Sequence, residues 1–259
     1  MSDKDLLYQV KDTVAYFTIN REKQRNAISG EIVELFLKFL DQAEKDPGVR
    51  VILLTGAGEK AFCAGMDLGA TSGRGKQQKE EGALQYARLL KRLAVFPKPT
   101  VAKVNGYCLA GGMGFMLACD IVIARDDAQF GAPEVNVGLW PMMIGALIFR
   151  NVLKKKAMEM ILLGEKLTAG QAENIGLITK TVPAIDLDKT IQKVLDTLSL
   201  KSPIGVKMGK EAFHRASNMS LEDSLDYLAT MLVEVMDTED AQEGIKAFIE
   251  KRNPRFTGR

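Results

Sequence analysis

The chain is expected to fold as an α/β protein. Short runs of β-branched and aromatic residues alternate with amphipathic helical patterns over its first half, and 46% of the 259 residues are hydrophobic, enough for a sizeable core. A further observation narrows the chemistry: the chain holds one histidine, His214. A site with two or more histidine ligands is thereby excluded within one chain, and a Ser-His-Asp triad would have to use that imidazole. Acid–base work then falls to carboxylates, with lysine and tyrosine in reserve.

Val14-Ala15-Tyr16-Phe17-Thr18-Ile19 reads as a strand. After the polar break Arg21 to Asn26, Ser29 is placed to N-cap a helix running to about Glu44. Ile32, Val33, Phe36, Leu37 and Leu40 fall on one face of it, and Pro47-Gly48 ends it. Val51 to Thr55 is a continuous apolar run, as a strand buried on both faces requires. A glycine-containing loop spans Gly56 to Gly65, and the small, polar stretch from Gly69 to Lys76 reads as a surface loop. A helix from about Gln77 to Ala94 leads to Pro97 and Pro99, then Thr100 to Val104 forms a strand. Leu109-Ala110-Gly111-Gly112 opens a short apolar helix ending at Cys119. Asp120 to Ala124 is a strand, and Gln129-Phe130-Gly131 a shorter one. From Met142 onward helices dominate, with Thr168 suited to an N-cap. The division expected is a core over residues 1–195 that carries the site, and a helical C-terminal subdomain over 196–259.

Charge excludes more than it suggests. Lys plus Arg is 35 and Asp plus Glu is 33, a net charge of +2, so there is no general electrostatic case for nucleic acid. No apolar run reaches the ~18 residues of a membrane span, and Met1 to Asp5 lacks the apolar stretch of a signal peptide. Cys63, Cys108 and Cys119 show no C-x-x-C spacing and read as free thiols, which points to a reducing, cytoplasmic setting. No metal site is expected. His214, among Glu211, Arg215 and Asn218, reads as part of an exposed helix face.

Two glycine loops are candidates for ligand binding. Gly56-Ala57-Gly58-Glu59-Lys60-Ala61 matches the G-x-G-x-x-G/A dinucleotide fingerprint after a strand, yet Phe62-Cys63-Ala64-Gly65 does not open a helix, so the match is weak. Asn105 to Gly114 lies between a strand and a helix. Glycine there lets a ligand reach the free N–H groups of the helix start, where an anion or a developing oxyanion is favoured. Close helix–strand packing would ask for the same small residues.

Taken together, these loops resemble the crotonase superfamily, also called the enoyl-CoA hydratase/isomerase family. The resemblance rests on Asn20-Arg21-Glu22-Lys23 through Asn26-Ala27, on Lys60 to Leu68, on Val104-Asn105-Gly106-Tyr107 through Gly111-Gly112, on Cys119 to Ala124, on Phe130 to Leu139, and on Gly164 to Leu177. It implies a spiral of β-β-α turns with a helical C-terminal trimerisation region, assembling as a homotrimer or a dimer of trimers. It implies an acyl-CoA thioester as ligand, with coenzyme A entering as part of the substrate and no separate cofactor. The oxyanion hole would be the backbone N–H groups of Met66 and Gly111, and losing one such donor typically costs ~10²–10³ in rate. Lys23, Arg25, Ala27, Ala64, Phe248 and Lys251 would contact coenzyme A. Met66, Trp140 and Met142 would line the acyl pocket. Asp67 is expected to play a structural hydrogen-bonding role.

Hydratases of that family place two glutamates beside the hole. One position maps to Glu134; the other maps to Gly114, where the carboxylate is missing. A single base suffices for a proton shuttle, so isomerase-like migration of a double bond is the leading expectation. Glu at Gly114 is then expected to raise hydration. The alternatives are a one-glutamate hydratase of an enoyl-CoA or a cyclic dienoyl-CoA, another reaction of the superfamily such as hydrolysis or decarboxylation, a non-catalytic CoA-binding protein, and a nicotinamide-dependent oxidoreductase resting on the weak fingerprint.

Overall fold

In chain order the elements run β1 (Leu6–Lys11), β2 (Val14–Ile19), α1 (Gly30–Lys45), β3 (Val51–Gly56), β4 (Ala61–Cys63), α2 (Lys76–Ala94), β5 (Thr100–Val104), β6 (Tyr107–Leu109), α3 (Gly111–Leu117), β7 (Ile121–Arg125) and β8 (Gln129–Gly131). They continue as α4 (Met142–Asn151), α5 (Lys154–Leu163), β9 (Leu167–Thr168), α6 (Ala169–Asn174), β10 (Lys180–Val182), α7 (Leu187–Ser199), α8 (Pro203–Ala216), α9 (Leu221–Met236) and α10 (Glu239–Ile249). This computed structural model describes residues 5–67, 69, 73 and 75–259. Half of the loop expected from Gly69 to Lys76 lies outside the described residues.

β1 and β2 form an antiparallel hairpin, and parallel strands extend it into a sheet of order β1-β2-β3-β5-β7-β10. A second sheet has the order β4-β6-β8-β9. Each pass of the chain puts one strand into the first sheet and the next strand into the second, then returns through a helix: β3-β4-α2, then β5-β6-α3. This is the spiral of β-β-α turns that the resemblance implies.

The buried run in β3 explains the layering. Ile52 and Leu54 face the main core with Phe17, Phe36 and Phe115, while Val51 and Leu53 face a second core capped by Leu187, Ile191 and Leu195 of α7. A strand covered on both faces has no polar side to alternate with. Helix α7 runs without a break across the division expected between 195 and 196, because its apolar stripe belongs to the sheet. Helices α8 to α10 follow. Within this single chain α9 buries no residue, although it carries Leu221, Leu225, Leu232 and Val233. Among the described residues, no helix is long and apolar enough to cross a membrane.

Candidate active site

The parallel strands β4, β6 and β8 run side by side and end on one edge of the smaller sheet, and each hands the chain to a candidate residue just beyond it. Met66 follows β4, Gly111 follows β6 and Glu134 follows β8. Register keeps these loops adjacent: Cys63 pairs with Cys108, Leu109 pairs with Gly131, and the Ala110 N–H donates to the Gly131 carbonyl at 2.8 Å. Ligand sites commonly gather at the carboxyl ends of parallel strands.

The Arg21–Ala27 loop fixes Met66. Arg25 and Asn26 have left-handed φ angles of 51° and 56°, which fold the chain back on itself. Asn26 is buried, and its Nδ2 donates to the carbonyls of Ala57 at 3.0 Å and Ala61 at 2.7 Å. Ile28 then lies along the next loop: its N–H donates to the Gly65 carbonyl at 2.8 Å, and its carbonyl accepts from the Asp67 N–H at 2.9 Å. In such a parallel bridge the intervening Met66 N–H points the other way, away from Ile28. Asp67 pairs with Arg21 at 3.0 Å.

The second donor comes from a sharp turn. Ala110 adopts φ 49° and ψ −132°, which swings the chain from β6 into α3. Gly111 is the first helical residue, so its N–H lacks an intrahelical acceptor. A Cβ on Gly111 would stand 3.6 Å from the Met66 nitrogen and 3.4 Å from Ile28 Cδ1. The two candidate donors are therefore neighbours across a narrow gap. Gly112 has a different reason to be glycine: a Cβ there would run into the Cys63 carbonyl. The donor reading of this loop fits Gly111, and the packing reading fits Gly112.

Glu134 sits in the 3₁₀ turn Pro133–Val137, and its Oε2 is buried with no hydrogen-bond partner among the described residues. Burial raises its carboxyl pKa above the ordinary value, offset in part by a backbone hydrogen bond. At Gly114 an added Cβ would overlap the hydroxyl oxygen of Tyr86 and lie 3.0 Å from Ile144 Cγ2 and 3.1 Å from Leu90 Cδ2. Tyr86, on α2, is buried and donates its hydroxyl to the Gly111 carbonyl. Burial above all pushes its phenol well above the ordinary tyrosine value. Sequence reasoning misses Tyr86. Its spacing with Leu89, Leu90 and Leu93 marks it only as part of a core stripe.

A cavity of about 470 Å³ brings Arg25 and Ala64 together with Lys60, Tyr107, Arg125 and Lys166. Lys60, Arg125 and Lys166 come from three separate loops and strands, so no local motif announces them. Lys23 and Ala27 do not line this cavity. Phe248 and Lys251 are exposed at the end of α10 and also lie outside it. Trp140 and Met142 are exposed, whereas Ile144 turns inward to face Gly114. Burial pushes the Cys63 thiol up to about 12 and the Cys108 thiol well above its ordinary value, which leaves both as packed, un-ionised thiols. His214 is exposed. The Gly56–Ala61 loop leads into β4 and no helix, and its carbonyls at Gly56 and Ala57 accept from Asn105 and Asn26. It does not form a dinucleotide cradle. Among the described residues, no group of three or more His, Cys, Asp or Glu side chains gathers where a metal ion would need them.

The sequence profile of the family described as enoyl-CoA hydratase/isomerase matches residues 9–259. The short-chain-enoyl-CoA hydratase of Clostridium acetobutylicum is 31% identical over 253 residues, covering 97% of each chain. The 2,3-dehydroadipyl-CoA hydratase of Escherichia coli is 32% identical over 259 residues, covering 98% of this chain and 99% of its own. The crystal structure of an enoyl-CoA hydratase from Bacillus anthracis superposes with a TM-score of 0.94 at 31% identity, over 98% of this chain and all of that one.

Proposed function

The chain belongs to the enoyl-CoA hydratase/isomerase family, enzymes of acyl-CoA thioesters, and from that premise we propose that it migrates a double bond within an enoyl-CoA, with Glu134 as its single proton carrier. The observations that carry this reading are a buried carboxylate oxygen at Glu134 without a partner among the described residues, and a Gly114 position closed by Tyr86.

The chemistry follows from charge. Glu134 takes a proton from the carbon between the thioester and the double bond, and the electron pair released delocalises onto the thioester oxygen. The N–H groups of Met66 and Gly111 receive that oxyanion. Donors preorganised for developing charge contribute several kcal/mol, about 2.7–4 for one donor. The protonated Glu134 then returns its proton at the far end of the allylic system, and the double bond has moved. A positioned base of this kind contributes ~10²–10⁴ in rate. A carboxyl pKa raised by burial brings base and conjugate acid closer to balance at neutral pH, which suits a group that must take and give back one proton.

Coenzyme A enters as part of the substrate, and this chemistry asks for no separate cofactor. Arg25, Lys60, Arg125 and Lys166 line one cavity, and their charge matches a nucleotide phosphate. Lys23 and Ala27 flank the same loop. Phe248 and Lys251, exposed in one chain, would join the site through assembly into a trimer or a dimer of trimers. The apolar residues left uncovered on α9 and α10 support that assembly, and light scattering on the purified protein measures it.

The named relatives favour a second reading, hydration of a 2-enoyl-CoA with Glu134 handling both protons. One paired assay separates the two. The protein and its Glu134→Gln variant are each given a 2-enoyl-CoA and the matching 3-enoyl-CoA, with hydration and migration followed separately. Migration should exceed hydration in the wild type, and both should fall ~10²–10⁴ in the variant. Full activity in Glu134→Gln would remove Glu134 from the mechanism.

A further inference from the structure

The space that a second carboxylate would need in this site is filled by a phenol. The Tyr86 hydroxyl reaches in from α2 to the place where a Gly114 side chain would begin, and it is anchored there by donating to the Gly111 carbonyl. A phenol has one proton to donate, and the Gly111 carbonyl takes it. Burial and the hydrogen bond to the Gly111 carbonyl keep that proton in place, so Tyr86 offers the site neither a base nor an anion. Addition of water is easiest with a second group that orients and deprotonates the water while Glu134 serves the carbon. Migration of a double bond needs no such group.

We propose that Tyr86 sets the reaction type of this site: it occupies the second carboxylate's place, pins the first turn of α3 at Gly111, and so reserves proton transfer for Glu134 and selects migration over hydration. The proposal rests on the single-base reading of Glu134 above. On this proposal Glu at Gly114 does not by itself raise hydration, against the expectation from the sequence. While the Tyr86 hydroxyl is present, even the Cβ has no room. Tyr86 is a positioning and specificity residue here. The reacting protons pass through Glu134.

The test compares full-length wild type with Tyr86→Phe, Gly114→Glu and the double variant Tyr86→Ala/Gly114→Glu. Hydration of a 2-enoyl-CoA and migration in the matching 3-enoyl-CoA are measured as kcat/KM, and binding of a saturated acyl-CoA as Kd. The double variant should raise the hydration-to-migration ratio at least about tenfold with Kd little changed, and Tyr86→Phe should raise it about threefold by opening space for water. Gly114→Glu alone should lower the melting temperature and leave the ratio unmoved. The ratio is informative because a merely loosened site loses both reactions together.

A ratio within about twofold of wild type in both Tyr86 variants overturns the proposal. If the double variant does not fold, Tyr86→Phe, which keeps the ring, decides alone by the same criterion. Glu134→Gln separates the two levels of the argument. An unmoved ratio in the Tyr86 variants, with both reactions lost in Glu134→Gln, rejects the role of Tyr86 only. Activity that survives Glu134→Gln rejects the single-base reading.

Discussion

One terminal nitrogen of Arg21 pairs with Asp67 Oδ2 at 3.0 Å, while the other donates to the Ala27 carbonyl at 2.7 Å. Its Nε pairs with Asp5 Oδ2 at 3.0 Å, so one planar fork serves three acceptors in different directions. Both bonds to the site side frame Ile28 and Met66. Lysine supplies a point charge on a flexible stem and cannot hold that geometry. Arg21→Lys should cost roughly 1–2 kcal/mol of stability. It should also lower kcat about tenfold with KM close to wild type, because the Met66 N–H drifts while binding contacts remain. Thermal melts and steady-state kinetics check both; a wild-type kcat would show that the Met66 donor is held without Arg21.

The raised pKa of Glu134 has a sign for stability as well as for activity. Its folded-state pKa lies above the ordinary carboxylate value because burial disfavours the charge. Between the two pKa values the folded state binds more protons than the unfolded state, so stability falls as pH rises through that window and stays lowered above it. Glu134→Gln should therefore melt at a higher temperature than wild type near pH 7, and the advantage should vanish below the ordinary carboxylate pKa. Activity runs the opposite way, rising with pH as Glu134 ionises. Paired melts and pH–rate profiles of wild type measure this. A variant less stable than wild type at pH 7 would mean that the carboxylate is paired in solution.

The parts of this fold legible in the sequence are those with local cause. Ser29 caps α1 by accepting from the Ile32 N–H at 3.3 Å, and β5 spans Thr100–Val104, the stretch that reads as a strand. Thr168 and Gln171 form a capping box at α6. Strands β4 and β6 have three residues each, too few to show a period, and they exist because neighbouring passes of the spiral pair with them. The glycines of the Asn105–Gly114 loop mark a helix start open to a ligand, but the candidate donor at Met66 is legible only through the resemblance, since a backbone N–H leaves no mark in a side-chain pattern. Tyr86 was not legible as a site residue at all. Its place beside Gly114 depends on how α2 crosses α3, a tertiary relation that no local spacing encodes.

Ala110 holds a strained turn. Its φ of 49° with ψ −132° is a conformation that suits glycine and costs other residues of order 1–3 kcal/mol. Gly65, with φ 102°, leaves room for the Ala110 methyl: a Cβ on Gly65 would stand 2.8 Å from it. Ala110→Gly relieves the strain and loosens the unfolded chain by ~0.4–1 kcal/mol, so a net gain of about 1 kcal/mol is expected. For a chain of this size that is a rise in Tm of roughly 2–4 °C. The same change frees the turn that aims the Gly111 N–H, so kcat should fall severalfold while Kd for a saturated acyl-CoA holds. A drop in Tm would show that the methyl packs for more than the strain costs.

The C-terminal helices depend on a buried carboxylate. Asp240 is 1% exposed and accepts from the Ser202 hydroxyl at 2.8 Å, the Thr257 N–H at 2.7 Å and the Gly258 N–H at 3.1 Å, while its own N–H donates to the Arg259 carbonyl at 2.9 Å. Ser202 in turn caps α8 by accepting from the Gly205 N–H at 3.0 Å. One side chain thus joins the start of α8, the first turn of α10 and the final residues. Asp240→Asn puts an amide NH₂ against backbone N–H donors and removes the charge from the remaining bonds. The expected cost is about 1.5–3 kcal/mol, the worth of hydrogen bonds to a charged group. Amide exchange at Thr257 and Gly258 should quicken well before the sheet opens. Removing residues 256–259 should cost less in the Asp240→Asn background than in wild type, since the two changes delete the same contacts. Additive costs in that cycle would mean that the tail is held by something other than Asp240.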